Sequence, residues 1–293
     1  LHFYSYCGGL PAPKDNDNPF GYKFSWSPRG VVLASRNDAR FLKDGKEIYI
    51  EGKDLFLNYE VEEVEGLGKF EVYPNRNSVP YKEIYGLDDA LTVKRGTYRN
   101  LGWCDTLKKI VDLGLVNETP IEGLNRVTFR ELLAGLLGVD KNSDIKRAVA
   151  EKLSLQIENE VIARLEWLGL FSDEQIPAQN NYLDILSEKL QEKLVYLPGE
   201  SDMVLLRHTF IIEKKDKSLE KITSTIIDFG IPFGDSSMAR TVSLPLAIGV
   251  KMIADGKINS VGVRIPTSKE IYLPILEELE KMNIKMMERK SVL

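Results

Sequence analysis

Residues 71–99 read EVYPNRNSVPYKEIYGLDDALTVKRGTYR, and this stretch decides how the chain is understood. A short strand runs into a turn that carries Arg76; a helix-like link follows, then a second strand holding Arg95 and ending at Arg99. Two arginine-bearing strand ends joined by one helical link can converge on one rim of a sheet. Guanidinium groups are forked, permanently charged donors that match planar carboxylates, which the compact ammonium of lysine does not. Solvated arginines, or arginines paired with surface Asp and Glu, give the same pattern, so both readings stay open here.

Upstream of this stretch, the chain begins mid-strand, with apolar and aromatic residues alternating before Cys7-Gly8-Gly9, where paired glycines allow close backbone approach. Pro11 to Pro19 is a loop by composition. Tyr22, Phe24 and Trp26 then alternate, and Ser27-Pro28 predicts an N-cap with proline in the first turn of a helix running to about Arg40. Residues 41–72 predict short strands, with a hairpin at Asp44-Gly45.

Downstream, the period changes. From Leu101 to Leu197 apolar residues recur at helical spacing, in TLKKIVDLGLV, TFRELLAGLLGV and the segment ending LEWLGLF, whose Trp167 and Phe171 read as core. Strand patterning returns in 203–214 and 220–230 as an antiparallel hairpin, so the helical block reads as an insertion into an α/β domain. Asp235, Ser236 or Ser237 then caps a long helix ending near Gly256. Its amino terminus either faces an anion or is an ordinary capped end. VGVRIP (261–266), a helix over 268–282 and IKMMERKSVL (284–293) predict strand, helix and strand.

Composition narrows the function classes. A net charge of −5 opposes a general nucleic-acid binder, whose footprint is basic. No apolar run reaches the roughly 20 residues of a membrane-spanning helix. Two cysteines, Cys7 and Cys104, make no disulfide framework and suggest a reducing intracellular setting. The opening at Leu1, without methionine or a signal-peptide pattern, reads as a piece of something longer. There is no G-x-G-x-x-G, no phosphate-binding G-x-x-x-x-G-K-[ST] and no zinc spacing; Gly66-Leu67-Gly68-Lys69 reads as a loop. With only His2 and His208 as bases, a nucleophilic triad is poorly supported. Cys7 is either a nucleophile or a small buried hydrophobe, and Trp26 either core or a stacking surface for a planar ring.

The motifs CGGLPAP, NPFGYKFSWSPRGV, VYPNR, KRGTYR, LEWLGLFSD, FGIPFGDSSMARTVSLPLAI and SKEIYLPIL, in this order, closely resemble the NADP-dependent, L-glutamate-forming saccharopine dehydrogenases. The resemblance covers essentially the whole chain. It implies an α/β fold with an α+β-like mixed-sheet domain for substrate binding and dimerisation (1–100 and 199–233) and an inserted all-α subdomain (101–198). A C-terminal segment (234–293) would complete a Rossmann domain absent from this chain. By motif, Arg76, Thr97, Tyr98 and Arg99 correspond to saccharopine contacts, Trp26 to an NADP contact, and Cys7 to a neighbour of the reacting carbon; Arg95 reads as a support of its strand. Tyr98 departs from the leucine usual in the family motif, which puts a side-chain contact there in doubt. The resemblance implies NADP as cofactor, held mainly by the Rossmann domain, saccharopine or glutamate plus α-aminoadipate semialdehyde as substrates, a homodimer, and a cytoplasmic or mitochondrial location. Two other readings are a carboxynorspermidine- or homospermidine-type imine reductase, whose cationic substrates favour an acidic rim, and a non-catalytic dimerisation module.

Overall fold

A computed structural model describes residues 1–124 and 127–293. Its strands are β1 (His2–Pro11), β2 (Ala39–Lys43), β3 (Lys46–Ile50), β4 (Glu60–Val64), β5 (Gly68–Pro74), β6 (Thr92–Arg99), β7 (Asp202–Glu213), β8 (Leu219–Phe229) and β9 (Met287–Val292). Among the described residues they form one mixed sheet ordered β3-β2-β6-β1-β7-β8-β9, with β5 also on β6 and β4 on β5. The β1–β6 pair is parallel and the other strand pairs are antiparallel. Asp44 and Gly45 take φ of 51° and 78°, the two positive values that a tight primed turn between β2 and β3 demands.

Helix α1 (Pro28–Leu33) opens as expected, with the Ser27 hydroxyl accepting from the Gly30 backbone N–H and Pro28 in the first turn. It stops well short of Arg40. One 3-10 turn follows, Asn37 turns extended, and Ala39 enters the ladder opposite Ile50, so strand pairing outcompetes a continued helix. Helix α2 (Tyr81–Ile84) is the link between β5 and β6.

The helical block consists of α3 (Trp103–Asp112), α4 (Phe129–Leu137), α5 (Ile145–Lys152), α6 (Glu160–Leu168) and α7 (Tyr182–Lys193). Thr128 and Glu131 form a reciprocal capping box on α4, and Asp144, Asn159 and Asn181 cap the next three helices. Their buried leucines and isoleucines belong to the same core cluster as Tyr22, Val72 and Leu205 from the sheet region. Trp167, read as core, lies 37% exposed with its ring on Phe20, because Leu165 and Leu168 take the inward face of α6; Phe171 is partly buried against the core.

After β8 come α8 (Ser237–Ala254) and α9 (Lys269–Lys281), which share a separate small core of Ile248, Met252, Ile258, Leu279 and Ile284. VGVRIP is not a strand: no neighbouring strand pairs with it among the described residues, and Val261 and Val263 are exposed. Strand β9 instead pairs with β8, from Glu220↔Val292 to Thr225↔Met287. The question of the α8 amino terminus is settled by the protein's own anion. The Asp202 carboxylate accepts from the backbone N–H groups of Ser237 (2.6 Å) and Met238 (2.8 Å), and the Ser236 hydroxyl accepts from Ala239.

Candidate functional site

Strand β6 changes partner half-way along. One edge pairs continuously with β1, from His2↔Thr92 to Cys7↔Thr97. The other edge meets β2 at Val93 and β5 only from Gly96 to Arg99, so the sheet forks at Arg95. The turn after β5 fills the fork. Asn75 N–H donates to the Arg95 carbonyl (2.9 Å), Arg95 N–H to the Ser78 hydroxyl (3.0 Å), Arg40 N–H to the Arg76 carbonyl (3.0 Å) and Ser78 N–H to the Arg40 carbonyl (2.7 Å). These bonds hold Arg76 at a φ of 50°. A left-handed conformation costs a non-glycine residue about 1 kcal/mol, and the turn's hydrogen bonds offset it.

Above the fork lies a cavity of about 640 Å³, with Cys7, Trp26, Arg76, Arg95, Thr97 and Arg99 in its wall. Residues 95, 97 and 99 share a face because strand side chains alternate. Among the described residues, no Asp or Glu lines the cavity. None of its three arginines forms an ion pair with a carboxylate among the described residues, in contrast to Arg40 with Glu47 or Arg240 with Asp228.

Each arginine is held differently. Arg99 is 2% exposed, caged by the rings of Tyr22 (4.9 Å), Trp103 (5.4 Å) and Tyr73 (5.8 Å). Its Nη1 donates to the Tyr98 carbonyl at 2.8 Å, while its buried Nε has no hydrogen-bond acceptor. Desolvated cation–π contacts stabilise such a charge by about 2 kcal/mol, and an unsatisfied buried donor costs a similar amount. Arg95 is half-buried and lies 4.3 Å over the Tyr81 ring; Arg76 is exposed at the rim.

Behind Arg99 stands Glu71, its register partner across β5–β6. The buried Glu71 carboxylate accepts from the N–H groups of Gly102 (2.6 Å) and Cys104 (2.7 Å) and thereby anchors α3 to the strand pair. Burial and the adjacent Glu71 push the Cys104 thiol far up, so it stays protonated.

Cys7 is exposed and opens onto the cavity, in a densely packed surround. Burial pushes the thiol up, and the charges of Arg99 and Arg95 pull it down without cancelling that rise. It is a neutral thiol at pH 7, not a thiolate nucleophile. Trp26 is 44% exposed, with its indole N–H fixed on the Tyr22 hydroxyl at 3.1 Å, which leaves part of the ring free at the cavity edge.

Tyr98 is the exception among the expected contacts. It points to the opposite face of the sheet and is fully buried, with its hydroxyl donating to Glu62 Oε2 at 2.6 Å and its ring 5.8 Å from Tyr6. Period-2 alternation excludes its side chain from the cavity, so only its backbone faces the arginine side. A Cβ on Gly8 would come within 2.7 Å of the Cβ and backbone carbonyl of residue 98, so the first glycine of the pair lets β1 and β6 approach this closely.

The sequence profile of the saccharopine dehydrogenase C-terminal domain matches residues 1–284. The chain belongs to that family. It is 41% identical over 284 residues to a protein of Saccharomyces cerevisiae named saccharopine dehydrogenase [NADP(+), L-glutamate-forming], covering 95% of this chain and 64% of the yeast protein. It is 42% identical over 294 residues to the mitochondrial alpha-aminoadipic semialdehyde synthase of Bos taurus, covering 96% of this chain and 31% of that protein. The fold matches an apo, histidine-tagged yeast saccharopine dehydrogenase (L-Glu forming) with a TM-score of 0.91 and 40% identity, over 99% of this chain and 67% of that one. The chain thus spans less than two thirds of the yeast protein and about a third of the bovine one.

Within this family member, sequence reading missed two contributors to the site. Arg95 stands in the cavity wall with Thr97 and Arg99, because the alternation that puts 97 and 99 on one face puts 95 there too. Glu71 carried no local signal, since its partners come from the start of α3, some thirty positions on.

Proposed function

We propose that this chain is the substrate-binding and dimerisation part of an NADP-dependent saccharopine dehydrogenase. It would oxidise saccharopine to L-glutamate and α-aminoadipate semialdehyde, or run the reverse condensation. The observation that carries the reading is a cavity lined by three arginines and no acid. Saccharopine bears three carboxylates, and forked guanidinium donors in a partly desolvated wall suit them. A polyamine-type imine substrate is cationic and would meet repulsion in the same cavity, which counts against that alternative.

Oxidation removes a hydride from the carbon beside the secondary amine, with loss of the amine proton, and the resulting imine takes up water to release the two products. When bound, NADP would supply the hydride acceptor. The chain's residues support the rest: Arg76 and Arg99 hold carboxylates, the Thr97–Arg99 strand end fixes their spacing, and the neutral Cys7 thiol lies beside the reacting carbon without attacking it. Such a reaction rests on positioning and charge neutralisation. Trp26, oriented by Tyr22 and open on one side, fits the edge of a planar nucleotide ring. No glycine-rich phosphate turn occurs in the chain, so the Rossmann domain that residues 234–293 would complete is the proposed main NADP holder. The exposed Val242, Leu246 and Val250 of α8 support that role for the segment. A homodimer and a cytosolic or mitochondrial location, the latter in the name of the bovine relative, complete the proposal. No helix among the described residues is long and apolar enough to cross a membrane.

The test is NADPH formation from saccharopine by the complete protein, with carboxynorspermidine as the competing substrate. Turnover of saccharopine alone supports the reading. Arg76→Ala then raises the Michaelis constant for saccharopine about tenfold, since a lost charge partner weakens binding and Arg76 is exposed. Preference for the polyamine substrate overturns the assignment.

A further inference from the structure

We propose that Arg95 is a third carboxylate-binding arm of the cavity and a specificity determinant, rather than a support of its strand; this rests on the saccharopine reading above. Two observations separate the Arg95 side chain from a structural role. Its backbone is already held on both sides, by the Ser78 hydroxyl at its N–H and the Asn75 N–H at its carbonyl, so strand and turn are joined without the guanidinium. The guanidinium itself makes no hydrogen bond or ion pair among the described residues and lies over the Tyr81 ring, 4.3 Å from Cζ to its centroid.

A guanidinium stacked on an aromatic ring is oriented by its face and keeps the in-plane N–H donors of its edge free. That is the presentation a carboxylate needs for a bidentate contact. A half-buried charge with no acid in its cavity is costly unless a ligand supplies the counter-charge. The three arginines are also graded by depth: Arg99 buried, Arg95 half-buried, Arg76 exposed. A tricarboxylate can meet one fork at each level. With only Arg76 and Arg99 engaged, this chain would offer one carboxylate of saccharopine no charge partner. An arm whose fork selects a third carboxylate distinguishes saccharopine from dicarboxylate amino acids that fit the other two.

The experiment uses the complete protein and steady-state kinetics with saccharopine and its three mono-amides, each lacking one negative charge. Arg95→Gln raises the Michaelis constant for saccharopine roughly 10- to 100-fold while kcat stays within about threefold. Arg95→Lys recovers part of the loss, because a point charge replaces a fork. Free guanidinium ion at millimolar concentration partly rescues Arg95→Ala. Against the mono-amides, the Arg95→Gln penalty nearly vanishes for one analogue and persists for the other two, which identifies the carboxylate held. Equal penalties on all three analogues, or an unchanged Michaelis constant with a lowered melting temperature, overturn the proposal and return Arg95 to a structural role. If the unsubstituted protein does not turn over saccharopine, the functional reading itself fails and this inference with it. Turnover with an indifferent Arg95→Gln variant refutes Arg95 alone.

Discussion

Helices α6 and α8 both carry aliphatic side chains at helical spacing, and they bury them to opposite extents. On α6, Leu165 and Leu168 have no exposed surface and sit in the core shared with the sheet. On α8, Ile248 and Met252 are buried, whereas Val242, Leu246, Val250 and Ile253 form a second stripe between 59% and 70% exposed. A helix apolar on two sides is built to be covered on two sides. The comparison separates a body that closes its own core from a C-terminal helix that lends Met238 to the arginine cavity and leaves an apolar stripe uncovered among the described residues. That uncovered face is the physical ground for the proposal that α8 packs against a further domain, while β9 stays in the main sheet on β8.

The largest expected effect tests this contrast directly. Leu165→Ala should destabilise the chain by about 2–5 kcal/mol in denaturant unfolding, as for a leucine removed from a closed core. Leu246→Ala should fall within about 0.5 kcal/mol, as for a surface site. Equal costs would erase the distinction between the helices. In the complete protein, a Leu246→Ala cost rising well above that surface value would mark the missing cover.

The next effect compares the two buried carboxylates that anchor helix starts. Glu71→Gln on the cavity side and Asp202→Asn on the C-terminal side each weaken two backbone hydrogen bonds and should each cost about 1–3 kcal/mol. Hydrogen exchange should locate the damage in different places. Glu71→Gln should speed exchange at the start of α3 and in the Arg99 end of β6, and Asp202→Asn in α8 alone. Loss of protection across both regions from either change would mean that they unfold as one unit.

The smallest effect depends on pH and belongs to the body. The His208 ring is mostly buried, stacked on Phe3 at 6.0 Å, with Nδ1 unpartnered. Burial lowers its pKa below the ordinary 6.5. The unfolded chain therefore binds a proton more readily than the folded one, so stability from the neutral ring is full above about pH 6.5 and is lost as pH falls towards the folded value. Wild type should lose unfolding midpoint between pH 7 and pH 5.5, and His208→Phe should lose less over the same interval. Parallel losses in the two proteins would assign the pH response to other groups.

Where the sequence reading failed, competition between neighbours was the cause. The helix expected to reach Arg40 stops at Leu33 because Ala39 gains a strand partner that local propensity cannot foresee. VGVRIP has strand composition but pairs with no strand among the described residues. Tyr98 follows a site motif, yet alternation turns its side chain away from its neighbours at 97 and 99.

The sequence by itself determined the alternation of β6, the helical period of 101–197, the caps and the Asp44-Gly45 turn, because these depend on residues within a few positions of one another. It also carried the family motifs. Tertiary structure alone decided that β6 changes partners at Arg95, that the Arg76 turn fills the resulting fork, and that no acid reaches the three arginines gathered there. Those features depend on which distant strands pair and which faces they leave open, and pairing over such separations is fixed by packing rather than by local spacing.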